Sequence, residues 1–238
     1  MYKNSASHSE QSECVASLAE KSEDVCRSFG YSDQDARSVA LNNLRFIAYG
    51  TQLSLNLLDS WSLGDEAVRT MISQLIGLNS ATPKSIQIAG ESLHKTSKLS
   101  LILLGQFQIE NCLCNLAREL NVGSPNQGFY TLAGSLVSRL GLRSSIVDEL
   151  NVAALIRNSL HRNGIHSGYQ NGDTVVSLNN VNYEFRHLQK VSCATVEHIA
   201  HALESSVDNL ATIFDTSAVR AISDPVMDHY AWEIATTP

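Results

Sequence analysis

Apolar residues recur at helical spacing over most of this chain, and the breaks between the periodic stretches are short and polar. Val15, Leu18, Ala19, Val25 and Phe29 share one face of a helix predicted over Ser12–Phe29, which Gly30 would end. The Ser-rich stretch Met1–Gln11 ahead of it predicts disorder. Ser32-Asp33-Gln34-Asp35 then reads as an N-cap with acids in the first turn. The helix it opens carries Val39, Leu41, Leu44, Ile47, Ala48, Leu53, Leu55, Leu57 and Leu58 as far as Trp61, with Gly50 as a point of bending or interruption. A third segment, Asp65–Leu78, repeats apolar residues at Val68, Met71, Ile72, Leu75 and Ile76.

Thr82-Pro83 is the clearest break, with Pro at a helix N1 position. A long helical tract follows to about Asn121, with an interruption expected near Lys95–Lys98. Its second half is the most apolar part of the chain (Leu99, Ile102, Leu103, Phe107, Ile109, Leu113, Leu116 and Leu120), with Gln106, Glu110 and Asn111 as a polar cluster inside it. After a Gly-rich loop, Phe129–Leu140 forms a helix stopped by Gly141. Ser145, with Asp148 in the capping-box position, opens a further helix that Asn163-Gly164 would close.

The pattern then changes period. Thr174–Leu178 and Val181–Phe185 read as two short strands joined by the two-residue turn Asn179-Asn180, a flap inserted between two helices. The last amphipathic helix runs from Cys193 to Phe214, with Val196, Ile199, Ala200, Leu203, Val207, Leu210, Ala211 and Phe214 on one stripe. A tail containing Trp232 is expected to lie back on the body or on a partner. The predicted fold is all-α, an antiparallel helical bundle with one small inserted β-hairpin. Residues 1–82 form an N-terminal helical extension, 83–222 a helical domain and 223–238 a C-terminal tail.

Composition agrees with a helical chain: four Pro and 13 Gly in 238 residues, and 6% aromatics. The net charge of −7 argues against a general nucleic-acid coat protein, because non-specific affinity comes from neutralising phosphates. Charge is unevenly spread, however. Residues 139–190 hold six Lys/Arg against four Asp/Glu, while the remainder holds eleven against twenty. The five Cys (14, 26, 112, 114 and 193) share no metal-ligand spacing and read as reduced thiols. The N-terminus lacks the apolar centre of a signal peptide, and no apolar run approaches the ~20 residues that span a bilayer. The chain is therefore expected to be soluble and cytoplasmic, with no membrane partner.

Candidate chemistry concentrates in Leu155-Ile156-Arg157-Asn158-Ser159-Leu160-His161-Arg162-Asn163-Gly164. Arg157 and His161 are four apart and so stand one above the other on a helix, near its C-terminal end. Arg offers a permanently charged fork of donors and His a proton that moves near neutral pH, a pair suited to a phosphate. The segment resembles the signature of the HEPN superfamily, in which Arg, usually followed by Asn, precedes a His a few residues on. Arg157-Asn158 matches its start and His161 its end, with a gap shorter than is usual in that family, and His166 lies beyond the motif. The resemblance covers residues 83–222. It implies a metal-independent endoribonuclease acting without cofactor, a homodimer with a composite site, and a toxin or defence role with an antitoxin or other protein partner.

On that resemblance the catalytic residues are Arg157, His161 and Asn158, with Glu110, Arg162 and Asn163 in support. Three readings of the pair stay open. It is a ribonuclease site; or it binds RNA, a nucleotide or a dimer interface without turnover; or Arg157 is solvated and His161 merely caps its own helix end. A non-catalytic dimeric scaffold, binding a partner through the apolar helices Leu99–Leu120 and Val196–Phe214, is the rival from another class. His198 and His201 with Glu197 and Glu204 could suit a metal but read better as solvated charge, so no metal is expected. No phosphate-binding Gly loop or Ser/His/Asp hydrolase signature is present.

Overall fold

A computed structural model describes residues 7–62, 66–75, 77, 82–123, 127–168, 172–222 and 225–228. The chain builds an all-α bundle with a single two-stranded hairpin among the described residues. Helix α1 spans His8–Phe29, α2 Ala36–Ser62, α3 Glu66–Leu75 and α4 Pro83–Glu119; α5 spans Phe129–Arg139 and α6 Ser145–His161. Strands β1 (Thr174–Leu178) and β2 (Val181–Phe185) precede α7 (Val196–Phe214) and the short α8 (Ser217–Arg220).

Helix α1 begins earlier than its apolar stripe predicts. Ser7 Oγ accepts from Glu10 N while the Glu10 carboxylate accepts from Ser7 N at 2.7 Å, a complete capping box. Residues 8–11, expected to be disordered, are therefore helical, and Gln11 is buried. Two expected interruptions are absent. Helix α2 runs through Gly50, and α4 runs unbroken through Lys95–Lys98, 37 residues in all and about 55 Å long at 1.5 Å per residue. Packing against α2 explains the persistence of α4, since Leu101 and Ile102 are sealed into the core just beyond the lysines. Thr82 caps α4, with Pro83 at its first position.

The helices of the predicted extension share one hydrophobic cluster with the rest. Helix α1 packs on α2 and α7, α2 packs on α4, and Val15, Leu18, Leu41 and Leu44 join Ile102, Leu113, Ile156, Leu203 and Phe214. Of the predicted stripe of α7, Val196, Ile199, Ala200, Leu203, Val207, Leu210 and Phe214 are at most 1% exposed and Ala211 is half-buried, so the stripe closes this core. Helix α7 starts three residues later than Cys193, where Thr195 Oγ1 accepts from His198 N.

The hairpin has the predicted register. Leu178 pairs with Val181, and Asn179 and Asn180 both take positive φ (46° and 69°), as a two-residue turn matching strand twist requires. Leu178, Tyr183 and Phe185 are buried, and Tyr183 Oη donates to the His198 carbonyl at 2.9 Å, fixing the hairpin on α7. After α6 the chain pairs with the segment that leads into α7. Val191 N donates to Gly164 O at 2.8 Å and His166 N to Gln189 O at 3.0 Å. In the C-terminal segment, Val226 is buried against α2. Ala36 N donates to Val226 O, Val226 N to Asp35, and Asn111 Nδ2 to Asp228. Trp232 lies outside the described residues. No described helix is long and apolar enough to cross a membrane.

Candidate functional site

Helix α6 carries the motif, and its two ends decide where the motif points. At the start, Ser144 and not Ser145 occupies the cap position, and no side chain caps the helix. Ser145 is already helical, its hydroxyl accepts from Arg143 at 2.8 Å, and Asp148 accepts from Tyr130 Oη, so the expected capping box does not form. At the other end, Asn163 (φ 57°) and Gly164 (φ 81°) turn the chain back in consecutive left-handed conformations, with Gly164 N donating to Ser159 O at 2.9 Å. That reversal lays residues 165–168 beside the last turn of α6. Asn163 thus has a conformational part to play here.

Arg157 is half-buried and reaches away from the helix end toward α4. Its Nη1 donates to Glu110 Oε2 at 2.9 Å and its Nε to Asn158 Oδ1 at 3.2 Å. The arginine is held by one carboxylate and one amide oxygen, leaving Nη2 without a hydrogen bond among the described residues. The polar cluster expected around Glu110 does not assemble. Gln106 is fully buried in the core, and Asn111 is taken by Asp228.

His161 is exposed and lines a cleft of about 450 Å³ with Asn158, Ser159, Arg162, Leu155, His166 and Ser167. This cleft is large enough for a phosphodiester linkage and its flanking sugars. Arg157 is not among its lining residues, whereas Arg162 is. The structure therefore divides the motif. The Arg157–Glu110 pair joins α6 to α4, while Asn158, His161 and Arg162 face the opening.

His166 is the residue that the motif left out. It is 4% exposed, its ring packs tilted on Phe185 with centroids 5.4 Å apart, and its Nε2 has no hydrogen-bond partner among the described residues. Burial pushes its pKa below the usual imidazole range; His187 and Arg162 push the same way, against Asp173. The signal for it lay in the sequence after all. An Asn-Gly reversal two residues before a His returns that imidazole to the helix it has just left.

Comparison with protein-family models, curated proteins and solved structures finds no match to this chain. The chemistry is accordingly read from the geometry. His198 and His201 are held in local hydrogen bonds, to Thr195 Oγ1 and Tyr183 Oη, and among the described residues no group of three or more His, Cys, Asp or Glu is placed to hold a metal ion. All five cysteines are free thiols, with Cys112 and Cys193 buried.

Proposed function

We propose that this chain is a HEPN-like, metal-independent endoribonuclease whose site is the cleft at the end of α6. His161 takes the proton of a ribose 2′-hydroxyl, the 2′-oxygen attacks the adjacent phosphorus, and the 5′-oxygen leaves. The products are a 2′,3′-cyclic phosphate and a 5′-hydroxyl. Arg157 lies just outside that cleft, and it stabilises charge on the phosphorane by turning toward it the Nη2 donors that Glu110 and Asn158 leave unused. Asn158 and Arg162 hold the strand at the opening; the same resemblance implies a homodimer and a toxin or defence role with a protein antitoxin, and the free thiols suit a cytoplasmic location. The observation that carries this reading is an open polar cleft lined by His161, Asn158 and Arg162 directly beside an arginine anchored by a carboxylate.

The test is cleavage of total RNA and tRNA by purified protein in excess EDTA, beside His161→Ala and Arg157→Ala. Cyclic phosphate ends that vanish in both variants, each still folded, support the enzyme. An inactive wild type moves the assignment to the non-catalytic dimeric scaffold. One feature favours that second reading: Phe46, Tyr49 and Leu53 of α2 are 60%, 42% and 65% exposed at helical spacing, an apolar face outside the core.

A further inference from the structure

The cleft holds two imidazoles, and the ribonuclease reading uses one. The second, His166, is enclosed yet leaves Nε2 unpartnered among the described residues, which is uncommon for a buried polar atom and is relieved by a ligand that offers an oxygen. Its backbone is rigid on both sides, with His166 N donating to Gln189 O and His166 O accepting from Leu188 N at 2.8 Å. The backbone that carries the ring is therefore held by the strand-like pairing that follows α6. Gly168 lies over it: a Cβ there would collide with the Gly172 carbonyl oxygen and stand 3.2 Å from Nε2. A glycine at 168 is what lets the backbone come this close to both Gly172 and the imidazole. Arg162, on the same cleft wall, supplies a fixed positive charge beside it.

We infer that His166 is the second acid–base group of this cleft, a catalytic residue that protonates the departing 5′-oxygen of an RNA phosphodiester. The inference rests on the ribonuclease reading and completes its proton balance. The O2′–P bond forms as the P–O5′ bond breaks; His161 gains the 2′-hydroxyl proton, and His166 loses one to the 5′-oxygen. Solvent then restores both rings. Among the described residues Nε2 of the buried ring has no acceptor, and three neighbours bear on its charge. His187 and Arg162 oppose protonation, and Asp173 favours it. A phosphodiester anion entering the cleft shifts that balance, because it supplies both the missing acceptor and a charge that stabilises imidazolium. Substrate binding and proton uptake are thereby coupled.

The test uses full-length protein and two RNA substrates, one ordinary and one with sulfur in place of the scissile 5′-oxygen. A thiolate leaves without a general acid. His166→Asn should lose about 10²–10⁴-fold on ordinary RNA and come within a few-fold of wild type on the sulfur substrate, whereas His161→Asn should lose on both. Equal loss of His166→Asn on the two substrates, or no loss on either, overturns the inference while the ribonuclease reading survives. A wild type that cleaves neither substrate overturns both. Should His166→Asn not fold, His187→Asn decides: it should move the alkaline limb of the rate profile to higher pH, and an unmoved limb overturns the assignment.

Discussion

Asp35 and Arg37 form the most enclosed ion pair among the described residues, with side chains 2% and 3% exposed. Asp35 accepts from Arg37 Nε at 2.8 Å, Arg37 Nη2 at 2.6 Å, Arg37 N at 2.9 Å and Val226 N at 3.1 Å. It therefore neutralises a buried guanidinium, satisfies the first turn of α2 and holds the C-terminal segment. Arg37 has two other anchors, the Tyr31 ring 3.5 Å below its Cζ and a 3.4 Å hydrogen bond to Val219 O, neither of which carries a negative charge. Asp35→Ala strands that cation, and breaking a buried pair in this way costs about 3–5 kcal/mol. For a chain of this length that corresponds to a fall in Tm of about 6–20 °C. Urea unfolding followed by circular dichroism should show the midpoint fall with the slope unchanged. Pairing Asp35→Ala with Arg37→Met should recover part of the loss, since no unpaired charge remains. A cost for Asp35→Ala below about 1 kcal/mol, the value of a surface pair, would refute the reasoning by showing that Arg37 reaches water.

Glu110→Gln tests the arginine anchor; because both partners are a quarter to a third exposed, stability should fall by no more than about 1 kcal/mol while kcat on RNA drops about 10-fold or more through a loosened Arg157. In the hairpin, Asn180→Val forces a β-branched residue to φ 69° and should cost about 1–2 kcal/mol in thermal unfolding, whereas Asn180→Gly should be neutral or stabilising. Burial pushes the Cys193 thiol up to about 11 and raises that of Cys112 as well, so a disulfide reagent at pH 8 should modify both far more slowly in native protein than in urea.

The helical architecture was legible because most apolar positions repeat with the period of the backbone that buries them. Thr82-Pro83 and Asn179-Asn180 each marked a boundary by local stereochemistry: a ring that fits a first turn, and side chains that tolerate positive φ. Where local signals compete, tertiary packing decides. Gly50 weakens a helix in isolation, but burial of Ala48 and Thr51 beside it outweighs a propensity cost of about 1 kcal/mol, and Lys95 and Lys98 are themselves good helix formers. Ser145 looked like a cap until Arg143 took its hydroxyl.

The candidate site divides along the same line. The sequence by itself determined that Arg157, Asn158 and His161 occupy the final turns of one helix, with Arg162 at its C-cap, because Arg157 and His161 are four residues apart and so stack on a helix. It also determined that the helix ends at Asn163-Gly164, where left-handed backbone is cheap. Tertiary structure alone decided the rest. Arg157 turns to Glu110, 47 positions earlier, Arg162 lines the cleft in its stead, and the His166 ring is buried against Phe185 with Nε2 unpartnered among the described residues. These are contacts between segments that no local period couples, and they exist because one shared core sets α4, α6 and the hairpin at a fixed distance from one another.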